Sequence, residues 1–269
     1  LRLGGLKIFL DGSGMARTAW MHEDWNKNFT ERDEGNRGYP VIPVEEFREM
    51  VKAAHRAGFQ IGVHTVGDRA VDEALHAYQK AFEEAPSKDA RHSVIHAIVP
   101  TEEALDKMVE LNDNIVVETQ SPFFYFIGDS YAGNFGPKRV KRMIPLRSYM
   151  KGGITVGNSS DWFVCPFPPR FGLWAAIVRK TWKGTYGLQP FGTEESITVQ
   201  EALRTYTILA AKCLFMEGRI GSVEGGKYAD LVVWSGDPYT VSTEALKDLR
   251  VEMTIVRGRI VYREPSANI

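Results

Sequence analysis

The sequence predicts an α/β protein built on a parallel sheet and followed by a small all-β segment. Five short β-branched runs alternate with stretches of helical apolar spacing, which is the pattern of strand and crossover helix. The pattern then changes near residue 218 to short strands with no helices between them. With 269 residues, 43% hydrophobic and 25% charged, the chain has enough apolar material for one large core and a smaller one.

Strands are predicted over 6–10, 60–66, 93–99, 115–119 and 154–157. Helices are predicted over 44–57, 69–84, 101–111 and 139–150, with Pro43, Asp68 and Thr101 placed as helix-start residues. Two connections, 11–40 and 120–137, are long, Gly-rich and aromatic, and long connections in compact domains tend to carry function. Phe123, Phe124, Tyr125, Phe126 and Tyr131 in the second suit either a substrate wall or packing over the rim of the sheet. Thr198-Val-Gln-Glu201 is a capping-box pattern opening a helix to about Cys213. Beyond it, the strand 230–234 and the pair 252–256 and 259–263 around Arg257-Gly258 read as a strand and a β-hairpin. The expected organisation is therefore 1–217 and 218–269, the second part structural.

Thirty-three Lys and Arg against 34 Asp and Glu give a net charge of -1, which argues against a nucleic-acid partner and favours small neutral or modestly charged ligands. Cys165 and Cys213 lack C-x-x-C spacing, so neither a disulfide framework nor a cysteine zinc site is expected. No apolar run reaches the roughly 18 residues needed to cross a bilayer, and the first residues lack a signal-peptide core; no membrane partner and a cytoplasmic location are the expectation.

Residues able to bind metal recur at or near the C-terminal ends of successive strands, where parallel α/β folds place their sites: Lys7, His64, His96 and Asp161. Alternation puts Lys7 and Phe9 on one face of the first strand and Leu6, Ile8 and Leu10 on the other. A Lys buried there needs a partner or a modification, whereas a Lys on an edge strand snorkels to water. His64 ends its strand and precedes Thr65-Val-Gly-Asp68, where Gly67 permits a tight turn and Asp68 can cap a helix. His96 taken alone also fits a hydrogen-bonded core histidine, and Asp161 a helix cap. His22, His55, His76 and His92 read as solvated or packing residues in loops or on helix surfaces.

The segments Leu6-Lys-Ile-Phe-Leu-Asp-Gly-Ser13, His64-Thr-Val-Gly-Asp-Arg-Ala70, Arg91-His-Ser-Val-Ile-His96 and Ser159-Ser-Asp161 resemble, in order, the metal-site motifs of the YtcJ-like branch (amidohydrolase family 3) of the amidohydrolase superfamily. Glu201 to Ala211, followed by Arg219-Ile-Gly-Ser-Val-Glu-Gly-Gly-Lys-Tyr-Ala-Asp-Leu-Val-Val-Trp234, is similar to that superfamily's junction between barrel and small β domain. The resemblance implies a partial TIM (β/α)8 barrel made of the later strands, plus the C-terminal part of a small β-sandwich. It also implies one or two divalent ions, zinc by preference, held by His64, His96, Asp161 and an N6-carboxylated Lys7, with Asp68 and Arg69 supporting them. Asp161 would bind metal and relay the proton while a metal-activated hydroxide cleaves a C–N bond of an amide or cyclic amide.

The His-x-His motif with which the family opens its barrel is absent from this chain. Five strands cannot close an eight-stranded barrel, so the expected partners are the N-terminal half of the barrel, a small amide-like substrate and a second copy of the protein. Deamination or ester hydrolysis would use the same chemistry. A non-catalytic scaffold on the same fold is the reading from another class, opposed by the retained Lys7, His64, His96 and Asp161. A phosphoesterase on such a barrel is a third, against which the C-terminal β segment counts.

Overall fold

A computed structural model describes residues 3–26, 34–184 and 191–266, so part of the 11–40 connection and the last residues of the tail lie outside the described residues. The strands β1 (Leu6–Phe9), β2 (Ile61–Thr65), β3 (His92–His96), β4 (Ile115–Thr119) and β5 (Val156–Asn158) form one parallel sheet whose order follows the chain. β1 and β5 are its two edges. Ile8, Leu10, Ile61, Val63, Val94, Val117 and Val156 are buried, as a parallel sheet covered by helices requires.

The crossovers carry α1 (Val44–Arg56), α2 (Asp68–Glu84) and α3 (Glu102–Glu110). α1 buries Phe47, Val51 and Ala54, and α2 buries Ala70, Val71, Ala74, Leu75, Ala77, Tyr78 and Ala81, each at the spacing of one helical face. Thr101 caps α3 by accepting a hydrogen bond from the Ala104 N–H, 2.9 Å. Asp68 lies inside the first turn of α2 instead of capping it.

Three expectations are corrected. The connection 120–137 is largely helical: α4 (Pro122–Phe126) runs into α5 (Gly128–Val140), which kinks at Gly136 ahead of Pro137. Packing of Phe123, Phe124, Tyr131 and Phe135 holds these helices, which propensity alone does not predict. The helix predicted over 139–150 is interrupted: Ile144 sits at φ 51° before Pro145, and α6 (Leu146–Lys151) starts after it, because a residue preceding proline is driven out of the helical region. The helix predicted from Thr198 has its capping box, with Thr198 and Glu201 exchanging hydrogen bonds, but divides at Thr207 into α8 (Val199–Tyr206) and α9 (Ile208–Cys213). The intervening α7 (Pro169–Val178) went unread because it buries Gly172, Leu173, Trp174, Ala175 and Ala176 in succession and so has no polar stripe.

The C-terminal strands β6 (Leu231–Trp234), β7 (Val251–Val256) and β8 (Arg259–Arg263) form an antiparallel sheet. Arg257 and Gly258 both have positive φ, the backbone of a two-residue hairpin turn. A 3-10 stretch, Thr243–Asp248, ties this region to α7, where Arg170 Nε donates to the Lys247 carbonyl and Leu246 is buried. Among the described residues no helix is long and apolar enough to cross a membrane.

His92, expected in a loop or on a helix surface, instead begins β3 and is buried at the end of the sheet opposite His96. Its Nδ1 accepts from the Ile61 N–H, so its Nε2 carries the proton and donates to His55 Nδ1, 2.9 Å, while His55 Nε2 donates to the Ala85 carbonyl. Burial first and His55 second push His92 down to about 3. The unfolded chain takes up this proton near pH 6.5 and the folded chain does not, so stability falls as pH drops from about 6.5 towards 3, by up to about 1.4 kcal/mol per pH unit. His92→Gln removes that titration, and its urea unfolding free energy is expected to fall less steeply than wild type between pH 6.5 and 4. Parallel curves would rule the assignment out.

Candidate metal centre

Lys7, His64, His96 and Asp161 line one pocket of about 360 Å³ at the C-terminal end of the parallel sheet. Two larger clefts, about 470 and 510 Å³, lie elsewhere. The first contains His55 and His92, whose ring nitrogens are already engaged with each other and with backbone. The second sets Arg142 against Glu102 and His22 against Asp72, pairs that satisfy each other.

The imidazoles of His64 and His96 meet because β2 and β3 are neighbours and both residues stand near the ends of their strands. His64 Nδ1 and His96 Nε2 are 3.0 Å apart, with the rings nearly perpendicular. Their outer nitrogens define their protonation. His64 Nε2 faces the Gly12 carbonyl at 2.9 Å, which can only accept, so this nitrogen carries the hydrogen. Gln120 uses its amide N–H groups on the Ser159 hydroxyl and the Glu118 carbonyl, which turns its oxygen to His96 Nδ1 at 2.6 Å and puts the hydrogen there too. Two bare lone pairs are left facing each other.

Such a pair needs a cation between or beside the nitrogens. A proton fits poorly: burial first, then His64, pushes His96 down to about 3, and burial also lowers His64. A divalent ion fits, since metal-bound histidines characteristically donate their second N–H to a carbonyl or carboxamide oxygen, as both do here.

Lys7 shares the inner face of β1 with Phe9, and its ammonium lies 5.0 Å from the Phe9 ring centroid. Of the two alternatives for Lys7, burial in the sheet or an edge position reaching water, the structure shows the second: β1 is an edge strand and Lys7 is exposed. Desolvation still lowers its pKa, opposed by the charges of Asp161 and Glu118. Asp161 follows β5 with φ 50° and is exposed at the pocket mouth. Among the described residues no three His, Cys, Asp or Glu side chains are drawn together as a ready ligand set, so the histidine pair is formed and Asp161 shares its pocket without joining it. Asp68 and Arg69 do not line this pocket: Asp68 accepts from the His22 and Arg69 N–H groups, and Arg69 stacks on Trp20. Both lie in the first turn of α2, beyond the turn that leaves His64.

Three residues near the site were not singled out in the sequence. Gln120 is buried and links His96 to Ser159. Glu118, on β4, places its charge on Lys7, and burial raises its pKa. Asp11, buried after β1, accepts from the N–H groups of Trp20, Val66 and Gly67, which clamps the turn following His64; its Oδ1 stands 3.6 Å from His64 Nε2. Burial raises it to about 7 against those three hydrogen bonds. Gly67 matters here for space rather than backbone freedom: its φ is negative, and a Cβ would meet the Trp20 carbonyl oxygen at 2.0 Å. A polar residue just past a strand end was the available signal for Asp11 and Gln120.

Comparison with known proteins gives the family. The chain is 28% identical over 265 residues to the YtcJ protein of Bacillus subtilis (strain 168), covering 98% of this chain and 48% of that protein. It is 27% identical to the N-substituted formamide deformylase of Arthrobacter pascens, over 97% of this chain and 46% of that enzyme. The chain thus spans about half the length of the curated relatives it matches. Its fold superposes on the crystal structure of a metal-dependent hydrolase from Pyrococcus horikoshii OT3 with a TM-score of 0.73 at 26% identity, covering 88% of this chain and 45% of that one. With the amidohydrolase family model matching residues 1–262, this chain belongs to the amidohydrolase family.

Proposed function

We propose that the chain is part of a zinc-dependent hydrolase that cleaves C–N bonds of small amides or cyclic amides. The observation that carries this reading is the facing pair His64 Nδ1 and His96 Nε2, stripped of hydrogens by Gly12 and Gln120, in one pocket with Lys7 and Asp161. Residues 1–217 would contribute the later strands of a barrel and residues 218–269 the end of a small β domain. The edges β1 and β5, the wholly exposed β8, and coverage of about half of each relative support a partner segment that supplies the other strands.

His64 and His96 would hold one ion, and Lys7 would contribute an anionic oxygen after its neutral amine adds to CO2 and loses a proton. Zinc bound there polarises a carbonyl and lowers the pKa of water towards neutrality. Gly12 and Gln120 keep both imidazoles in the coordinating tautomer. Asp161 accepts the proton released by the attacking water and returns it to the departing nitrogen, so that amide and water become carboxylic acid and amine.

Chelation of the complete protein is expected to abolish hydrolysis of an amide panel, and added zinc to restore it. Gln120→Leu should weaken zinc binding by about 10–100-fold while circular dichroism stays unchanged, because His96 loses the oxygen that orients it. Metal binding that is indifferent to Gln120, or amide hydrolysis that survives chelation, would remove the basis of this reading.

A further inference from the structure

The hydrogen bonds behind the histidine pair form a chain that can run in either direction. One end is fixed. His64 Nε2 faces the Gly12 carbonyl at 2.9 Å, and a carbonyl has no hydrogen to give, so His64 Nε2 keeps the hydrogen and His64 Nδ1 offers its lone pair to His96. At the other end stand Gln120 and Ser159, each able to give or accept. Gln120 Oε1 lies 2.6 Å from His96 Nδ1, and Gln120 Nε2 donates to the Ser159 hydroxyl oxygen at 3.1 Å. The oxygen and the NH2 of a carboxamide are nearly alike in size, so a half-turn of the Gln120 amide exchanges them without moving its neighbours. The Ser159 hydroxyl hydrogen serves no other acceptor among the described residues and turns to suit the amide. His96 and Gln120 are 4% and 3% exposed, so their partners must come from the chain itself.

With the oxygen of Gln120 towards His96, the two bare nitrogens 3.0 Å apart are ready for a cation and repel each other without one. After the half-turn every link reverses. Ser159 donates to Gln120 Oε1, Gln120 Nε2 donates to His96 Nδ1, and His96 Nε2 carries the hydrogen and donates to His64 Nδ1. His64 still donates to Gly12. Each imidazole holds one hydrogen in both forms, so no proton is gained or lost overall. Little opposes the reversal: Gln120 Nε2 also donates to the Glu118 carbonyl, but this bond is long at 3.4 Å. Relieving two facing lone pairs in a buried site outweighs the loss of one long hydrogen bond.

We infer that Gln120 is a metal-responsive switch, which turns its N–H towards His96 in the zinc-free protein and its oxygen towards His96 when zinc is bound. This rests on the metal-centre reading of the same pocket. Zinc drives the turn because it coordinates only the form in which His96 Nε2 is bare, and a ligand that binds one of two forms draws the population to that form. Ser159 is a positioning residue that holds the amide either way round.

The test is nitrogen-15 NMR of the complete protein labelled at histidine, with and without zinc at about pH 8, where ordinary imidazoles are neutral. The His96 signals are assigned by their loss in His96→Gln, and circular dichroism follows the fold. His96 is expected to carry its hydrogen on Nε2 without zinc and on Nδ1 with zinc, while His64 keeps its hydrogen on Nε2 throughout. In Gln120→Glu the ionised side chain only accepts, so a hydrogen is expected on His96 Nδ1 in both samples. An unchanged hydrogen position in wild type, a bare Nδ1 in zinc-free Gln120→Glu, or unfolding on zinc removal would overturn the inference. Unfolding counts because the reversed chain leaves no nitrogen of the pair without a partner. Zinc bound without reversal would leave the hydrolase reading standing, and failure to bind zinc would remove both. Reversal on zinc binding without amide turnover would support the switch and sink the hydrolase reading.

Discussion

Asp161→Asn is expected to leave a folded, zinc-loaded protein whose kcat is lower by about 10²–10⁴-fold, the usual cost of removing a general acid-base group. Asp161 lies at φ 50°, a backbone region that Asn tolerates at least as well as Asp, so the turn into Trp162 should survive the change. The carboxamide keeps an oxygen for the site but cannot take up the proton that the attacking water releases. Zinc should remain on His64 and His96, whose nitrogens face each other independently of Asp161. Zinc stoichiometry, melting temperature and kcat of variant and wild type, measured on the complete protein, separate loss of chemistry from loss of metal or fold. A folded, zinc-loaded variant with wild-type kcat would exclude Asp161 as the proton carrier.

Asp11→Ala should produce the largest loss of stability. Its carboxylate oxygens accept from three buried backbone N–H groups, those of Trp20, Val66 and Gly67, at 2.8–3.0 Å. Each buried donor left without an acceptor costs about 1–3 kcal/mol, and the removed carboxyl relieves part of this because its own burial is unfavourable. A net loss of about 3–5 kcal/mol is expected in urea unfolding, which for a chain of this size lowers the melting temperature by roughly 6–20 °C. Asp11→Asn keeps one accepting oxygen and should recover part of the loss. Since the clamped turn leaves His64, zinc affinity should fall along with stability in the Ala variant. An Ala variant as stable as wild type would mean that these three N–H groups find water or other partners.

How far the sequence alone reached differs between elements for physical reasons. α1 to α3 were legible because each buries one face, which writes a period into the sequence, and β1 to β4 because they are short β-branched runs set between those helices. β3 stops at His96, before its predicted end, because His96 and Ala97 turn left-handed, a backbone choice that apolar composition does not reveal. α7, apolar on every side, and α4 with α5, rich in Gly and aromatic residues, carry no such period; their helicity comes from packing.

The candidate site shows the same division. That Lys7, His64, His96 and Asp161 belong to one end of a parallel sheet followed from the sequence, because every strand of such a sheet points the same way and its last residues must emerge together. Which of them touch did not follow. The 3.0 Å pairing of His64 with His96, the reach of Gln120 from β4 to His96, and the grip of Asp11 on the turn after His64 join residues 24 to 56 positions apart. The exposure of Lys7 depends on which strand lies at the edge. Local sequence determines which face of a strand or helix a side chain occupies, because backbone geometry repeats every two or 3.6 residues. Contacts between side chains on different elements, and the hydrogen positions those contacts impose on two imidazoles, were decided only when the strands packed, since hydrogen bonds and lone pairs act over a few ångströms of space and take no account of distance along the chain.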